Sequence, residues 1–332
     1  MSADVLPRGS RSLEVAITLP ENGDYDAAIA LVQSLGAESV PVSLFWDEIE
    51  TSPGVFNPDP NWLPVINQYY PAQNLKVTLT ISVLDTVTDR RPADLRGLPW
   101  DDPQVIARFT ALLDTIAAQI PDVQLTALAI GNEIDGVLGT QAANWEAYTT
   151  FFAASAAHAR ALWPGVPVGA KVMFSGARQI PARIRPLWDA SDAVMLTYYP
   201  LKSDFTVRPP QVVADDVAQM VAIAQGKPVY LLEAGYPSGE TCNSTPEQQA
   251  AFIRQVFRAW DAHAEAIPLI SFTWLSDLPP KAVREFQGYY GVNNRAFGEY
   301  LRTLGMRTWK GAGSDKPAFL QLEAEAAARG WR

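Results

Sequence analysis

The sequence predicts an α/β fold with parallel strands, a single (β/α)8 TIM barrel, and three observations carry that expectation. Short, β-branched apolar runs alternate with longer helix-patterned stretches through nearly the whole chain. Eight such pairs can be counted along it. Its 332 residues suffice for one large single-core domain, and no sharp shift in composition marks a second.

In chain order, the strand runs are Leu13–Leu19, Ser39–Trp46, Lys76–Leu84, Leu125–Glu133, Val166–Val172, Ala193–Tyr199, Pro228–Glu233 and Leu269–Leu275. Between and after them fall helical patterns over Tyr25–Gly36, Trp62–Tyr70, Pro103–Gln119, Ala142–Leu162, Ile180–Trp188, Gln211–Gln225, Pro246–His263 and Pro317–Arg329. Start signals mark several of them, as at Thr245-Pro246 with Glu247 and Gln248 in the first turn. An open doubly wound sheet normally has fewer units and often carries a Gly-rich phosphate loop. Neither Gly-x-Gly-x-x-Gly nor a P-loop occurs here. Pro279–Gly313 reads as a long loop with a short helix. Leu6-Pro7-Arg8-Gly9-Ser10 resembles part of a protease-site tag, so residues 1–12 are expected to be a disordered, tag-like segment preceding a 13–332 domain.

Composition narrows the function. With 48% hydrophobic and 19% charged residues, the chain has the make-up of a globular protein. A net charge of −10 argues against a nucleic-acid surface, which would be basic. No apolar run reaches the roughly 18 residues of a membrane span. The lone Cys242 rules out an intrachain disulfide and a Cys-based zinc site. His158 and His263 lie in Ala-rich helical stretches and read as ordinary helix residues, which disfavours Ser-His-Asp chemistry and His-rich metal sites. No metal or cofactor is implied, and localisation stays open.

The chemistry-bearing residues cluster at the C-terminal ends of the strand runs, the active face of such barrels. These are Trp46-Asp47-Glu48, Asp85, Asn132-Glu133, Tyr198-Tyr199, Glu233 and Trp274. Glu133 ends the fourth run and Glu233 the seventh. A pair of carboxyls meeting across a barrel mouth is what glycoside hydrolysis requires: one protonates the leaving oxygen, the other attacks or stabilises the sugar cation. Strands about 4.8 Å apart and tilted about 36° give a barrel radius of roughly 7–8 Å. Three steps round a ring of eight then put the two backbones roughly 14 Å apart and the carboxyls near ~6 Å. Retaining enzymes use about 5–5.5 Å and inverting ones at least about 6.5 Å, so the estimate leans toward retention.

These residues carry a resemblance. Gly131-Asn132-Glu133 at a fourth strand and Glu233 at a seventh are similar to the paired motifs of the clan-A glycoside hydrolases, a superfamily of retaining (β/α)8 barrel enzymes. The resemblance implies that Glu133 is the acid/base, Asn132 the contact to the sugar 2-hydroxyl and Glu233 the nucleophile. It also implies that Tyr199, just before Pro200, orients the nucleophile and that Trp274 floors the reacting sugar. Locally, Glu233–Ser238 and Val194–Pro200 resemble endo-β-1,3-glucanases, whereas Phe45–Glu50 with Pro53–Phe56 resembles β-galactosidase- or xylosidase-type relatives. Thr197 stands where many members have His, and the strand-two Arg of some families has no clear match.

The implied partner is a β-linked glycan. Trp46 and Glu48 join Asn132, Tyr199 and Trp274 as candidate substrate contacts. Glu50, Asp85 and Asp277 read as loop-capping or substrate-contacting groups, Tyr198 as core, and Trp62, Trp163, Trp188 and Trp260 as packing between helices and barrel. Arg90, Arg91 and Arg96 read as a solvated loop. Two other function classes stay open: a non-catalytic carbohydrate-binding barrel, and a phosphate-substrate barrel enzyme, for which Gly235 and Gly239 offer a poor anion site.

Overall fold

Eight strand–helix pairs follow one another along the chain, and the architecture is an α/β barrel of parallel strands. The structure, a computed structural model, describes residues 5–332. The pairs are β1 (Ser12–Val15) and α1 (Tyr25–Ser34); β2 (Ser39–Phe45) and α2 (Leu63–Ala72); β3 (Lys76–Asp85) and α3 (Pro103–Gln119); β4 (Leu125–Asn132) and α4 (Ala142–Leu162). There follow β5 (Lys171–Met173) and α5 (Pro181–Ala190); β6 (Val194–Tyr198) and α6 (Val213–Ala224); β7 (Val229–Ala234) and α7 (Pro246–Ala262); β8 (Leu269–Phe272) and α8 (Pro317–Arg329). Every expected strand and helix is present, with ends moved by a few residues. The helix starts are chemical: Asp24, Asp102 and Thr245 each accept a first-turn backbone N–H, and Pro103 and Pro246 take first-turn positions where no N–H is needed.

The residues group into two packing units: Ser39–Thr197 with Lys227–Tyr230, and a second made of the chain to Glu38, Tyr198–Gly226 and Leu231–Arg332. In the 39–197 unit β2 runs parallel to β3 from Ser39↔Lys76 to Phe45↔Ser82, and β3 runs parallel to β4. The register slips between Ile81 and Asp85, and the slip sets Asp85 opposite Asn132. Except at its ends β3 is wholly buried, as strands covered on both faces are. Trp46, Trp100, Phe109, Tyr148 and Phe151 form one aromatic cluster in this unit.

In the 231–332 unit β1 pairs in parallel with β8 from Ser12↔Leu269 to Val15↔Phe272. Of the segment 1–12, residues 1–4 lie outside the described residues. Beyond them Arg8 N–H donates to the Arg329 carbonyl, and buried Arg11 pairs with Asp261 at 2.8 Å over the rings of Trp260 and Trp331.

Three local expectations are corrected. Pro279–Gly313 holds two helices rather than one short one, Pro280–Tyr290 and Arg295–Thr303. The first ends on Gly291 at φ +65°, and Asn294 caps the second by accepting from Phe297 N–H. Trp46 does not end a strand; it opens the short helix Trp46–Ile49. Trp62 is 60% exposed, whereas Trp188 and Trp260 are buried as expected.

Candidate active site

Glu133 sits just past β4 in a backbone conformation with φ +45°. Such a φ is uncommon for a residue with a side chain and costs on the order of 1–3 kcal/mol, so the surroundings must hold it. Gly131, two residues earlier, has φ +89°, and a Cβ there would overlap the Ile134 methyl and lie 2.6 Å from the Tyr148 hydroxyl. Only glycine allows this turn out of the strand. The turn buries the Glu133 carboxylate between two hydroxyls of its own unit. Thr86 Oγ1 donates to Oε2 and Thr197 Oγ1 to Oε1, each at 2.7 Å. Thr197, a departure from the family pattern in the sequence, is thus a direct partner of Glu133. Thr86 was invisible in the sequence, where it is one polar residue in a turn; its φ of +46° was not legible there.

Asn132 Nδ2 donates to Asp85 Oδ1 at 2.8 Å, and this bond orients the amide. Its Oδ1 is buried and has no hydrogen-bond partner among the described residues. A buried acceptor left open in this way fits a site that a ligand hydroxyl completes.

In the 231–332 unit Glu233 lies near the end of β7, and Tyr199, one residue past β6, donates its hydroxyl to Glu233 Oε2 at 2.6 Å. The Tyr199 ring is closely held. A Cβ on Gly235 would lie 2.7 Å from its Cε1, and the Tyr300 ring meets its edge at 5.8 Å and 87°. Gly235 therefore serves ring packing rather than an anion loop. Tyr300 comes from Arg295–Thr303, the helix that sequence reasoning had not resolved. Trp274, half-buried after β8, packs its ring on Phe286 at 6.0 Å.

Trp46 is not a substrate contact. It is fully buried against Phe109 and Phe151, and its indole N–H donates to Glu50 Oε2 at 2.7 Å. Glu50 is engaged by that indole, the Gly54 N–H and Arg108. Glu48 is on the surface, paired with Arg90 at 2.6 Å. Arg90 and Arg96 both pair with Asp47. Arg91 is not solvated: it is buried over Trp100 and clamped to Asp89. Each of these guanidinium groups already has a carboxylate partner. Tyr198 is core as expected, its hydroxyl donating to Asp216 at 2.8 Å. Asp277 is paired with Lys316 at 3.0 Å. His158 lies on a helix face and contacts Asp114, and Cys242 is a buried free thiol.

Two residues past Glu133, Asp135 is buried, and its Oδ1 accepts the Met173 N–H at 2.9 Å. Burial raises its carboxyl from an ordinary 3.8 to about 6, with the Met173 N–H pulling the other way. Among the described residues no group of three or more His, Cys, Asp or Glu could hold a metal ion, and no helix is long and apolar enough to cross a membrane.

No protein-family model matches the chain, and no curated protein matches it. Solved structures do. A GH5_18 protein from Streptomyces cattleya, in complex with Manb1-4GlcNAc, is similar at 18% identity over 97% of this chain and 81% of that one, with a TM-score of 0.71. The exo-beta-1,4-mannosidase Op5Man5 from Opitutaceae bacterium strain TAV5 is similar at 14% identity over 99% and 62%, TM-score 0.70. A GH5_18 protein from Bifidobacterium longum subsp. infantis is similar at 13% identity over 96% and 78%, TM-score 0.69. These likenesses show the fold: this chain has the α/β barrel of these structures. They do not extend to a resemblance with endo-β-1,3-glucanases.

Proposed function

We propose that the protein is a retaining glycoside hydrolase acting on a β-linked poly- or oligosaccharide, with Glu133 as acid/base and Glu233 as nucleophile. The observation that carries the reading is the support given to each glutamate at the end of its strand: Tyr199 on Glu233, Thr86 and Thr197 on Glu133. The shared fold with glycosidases supports the same reading.

The chemistry follows from the partners. The Tyr199 hydroxyl donates to Glu233 Oε2 and so orients the carboxylate that attacks the anomeric carbon. Glu133 delivers its proton to the leaving oxygen as the bond breaks, then takes one from the water that hydrolyses the glycosyl-enzyme. An acid/base must be at home in both protonation states. A threonine hydroxyl donates to a carboxylate and accepts from a carboxylic acid, so Thr86 and Thr197 serve both. The open Asn132 Oδ1 would accept the 2-hydroxyl, and Trp274 offers an aromatic face to the apolar side of the sugar ring.

Segments Glu233–Ser238 and Val194–Pro200 favour a β-1,3-glucan. A second reading, a β-1,4-mannosidic substrate, is favoured by two structural neighbours, one in complex with Manb1-4GlcNAc and one an exo-beta-1,4-mannosidase. A polysaccharide and aryl β-glycoside screen with product sizing separates the two. Glu233→Gln and Glu133→Gln are expected to abolish turnover with the fold intact. Wild-type-like hydrolysis in Glu233→Gln removes the nucleophile assignment. Oligosaccharide binding without release from any β-glycoside establishes a non-catalytic binder instead.

A further inference from the structure

The helix Arg295–Thr303 is tied to the chain on both sides of the Tyr199–Glu233 bond. On the Glu233 side it is fastened to the segment that leaves β7. Ser238 donates both its backbone N–H and its hydroxyl to the Thr303 carbonyl, each at 3.1 Å. The buried side-chain amide of Gln249 donates to the Tyr236 carbonyl at 2.8 Å and to the Leu304 carbonyl at 3.0 Å, so it links that segment to the end of the helix. The approach is close enough to exclude side chains. A Cβ on Gly239 would overlap Glu299, and one on Gly235 would lie 3.0 Å from Leu304 Cδ1.

On the Tyr199 side the loop leaving β6 passes through Phe205, whose φ is +64°. A bulky residue rarely takes that conformation, so its surroundings must hold it. Two rings of the same helix do so, with centroids at 4.7 Å for Phe297 and 6.4 Å for Tyr300. Buried Tyr300 thus touches the Phe205 ring and, edge-on, the ring of Tyr199. Strand β6 fixes the backbone only as far as Tyr198, so the Tyr199 ring beyond it needs walls. Gly235 allows one by its lack of a side chain, and Tyr300 supplies another. A tyrosine hydroxyl stands at the far end of its side chain, where a small tilt of the ring is magnified. Misplacing an orienting group by about 1 Å can cost on the order of a hundredfold in rate.

We propose that Tyr300 is a positioning residue for the nucleophile: its ring holds Tyr199 so that the hydroxyl meets Glu233. The helix Arg295–Thr303 can carry this ring because it is fastened to the segments that follow both strand ends. Tyr300 acts through Tyr199 and touches no substrate in this role. Its effect on turnover therefore exists only while the Tyr199 hydroxyl is present. The inference rests on the reading of Glu233 as nucleophile.

The test is a double-mutant cycle of Tyr300→Leu and Tyr199→Phe in the full chain, with steady-state kinetics on the aryl β-glycoside that the wild type hydrolyses fastest. Tyr300→Leu is expected to lower kcat/KM about tenfold through kcat, with KM within about twofold of wild type. In the Tyr199→Phe background the same change is expected to cost less than about twofold more. Equal losses in the two backgrounds, or kcat/KM within about twofold of wild type in Tyr300→Leu, overturn the assignment. A crystal structure of Tyr300→Leu gives a readout that needs no turnover. The Tyr199 hydroxyl is expected more than about 3.5 Å from Glu233, and a bond kept at 2.6 Å overturns the proposal. That displacement in a protein whose wild type hydrolyses no β-glycoside leaves the positioning of Tyr199 standing and removes the nucleophile reading. Should Tyr300→Leu not fold, Phe205→Leu, which removes the ring behind Tyr300, enters the same cycle with the same criteria.

Discussion

Replacing Asp135 by Asn should make the protein more stable above neutral pH, and the structure sets the size of the effect. The folded state holds the Asp135 proton with an affinity near 6, against 3.8 for an ordinary aspartate, chiefly because burial penalises the charge. Between those values the folded chain binds more protons than the unfolded one, so stability falls as pH rises through the window and the loss is complete above about pH 6–7. A difference of about two pH units at about 1.4 kcal/mol each gives a loss of about 3 kcal/mol. Asparagine cannot ionise, is of the same size, and keeps an oxygen to accept the Met173 N–H. Urea unfolding of wild type and Asp135→Asn at half-unit steps from pH 4 to 8 checks this. The curves should nearly coincide at pH 4 and diverge, in favour of the variant, by about 3 kcal/mol at pH 8. Parallel curves across the range would refute the argument that burial holds this carboxyl against ionisation.

Other perturbations test the supports of the two glutamates and one remote ion pair. Tyr199→Phe deletes the hydrogen bond to Glu233 and, at about 1.5–3 kcal/mol for a bond to a charged group, should lower kcat/KM by roughly 10–150-fold with unchanged unfolding; steady-state kinetics within threefold of wild type would remove the orienting role. Gly131→Ala combines the cost of a positive φ, about 1–2 kcal/mol, with overpacking against Ile134 and Tyr148, about 1–3 kcal/mol, and should lower the thermal midpoint and turnover together. Lys316→Met strips half-buried Asp277, itself raised to about 6 by desolvation, of its partner; chemical denaturation should show a loss of up to about 3 kcal/mol, larger at pH 8 than at pH 5 because the unpaired carboxylate is charged there.

How far the sequence could be read depended on the range of the interaction. Alternating periodicity and start signals are local, and so the eight strands and eight helices of the repeat were legible, as was the placing of Glu133 and Glu233 at strand ends. The core role of Tyr198 followed from the two-residue period of a strand. Trp46 misled because an aromatic at the end of a strand run suits a sugar face and a core equally. Phe109, Phe151 and Glu50 decide between them, and two of those lie far along the chain. The helix Arg295–Thr303 was missed in a Gly- and aromatic-rich stretch whose amphipathic face emerges only when Phe297, Tyr300 and Leu301 are buried.

The sequence by itself determined which residue types stand where strands end, because that follows from hydrophobic runs and the groups that interrupt them. Tertiary structure alone decided what each carboxylate touches. Thr86 comes to Glu133 across 47 residues and Thr197 across 64, Tyr199 reaches Glu233 across 34, and Asp135 meets Met173 across 38. Such bonds join strand ends far apart in the chain, some of them on strands that do not pair, and no window of sequence records which distant hydroxyl will arrive.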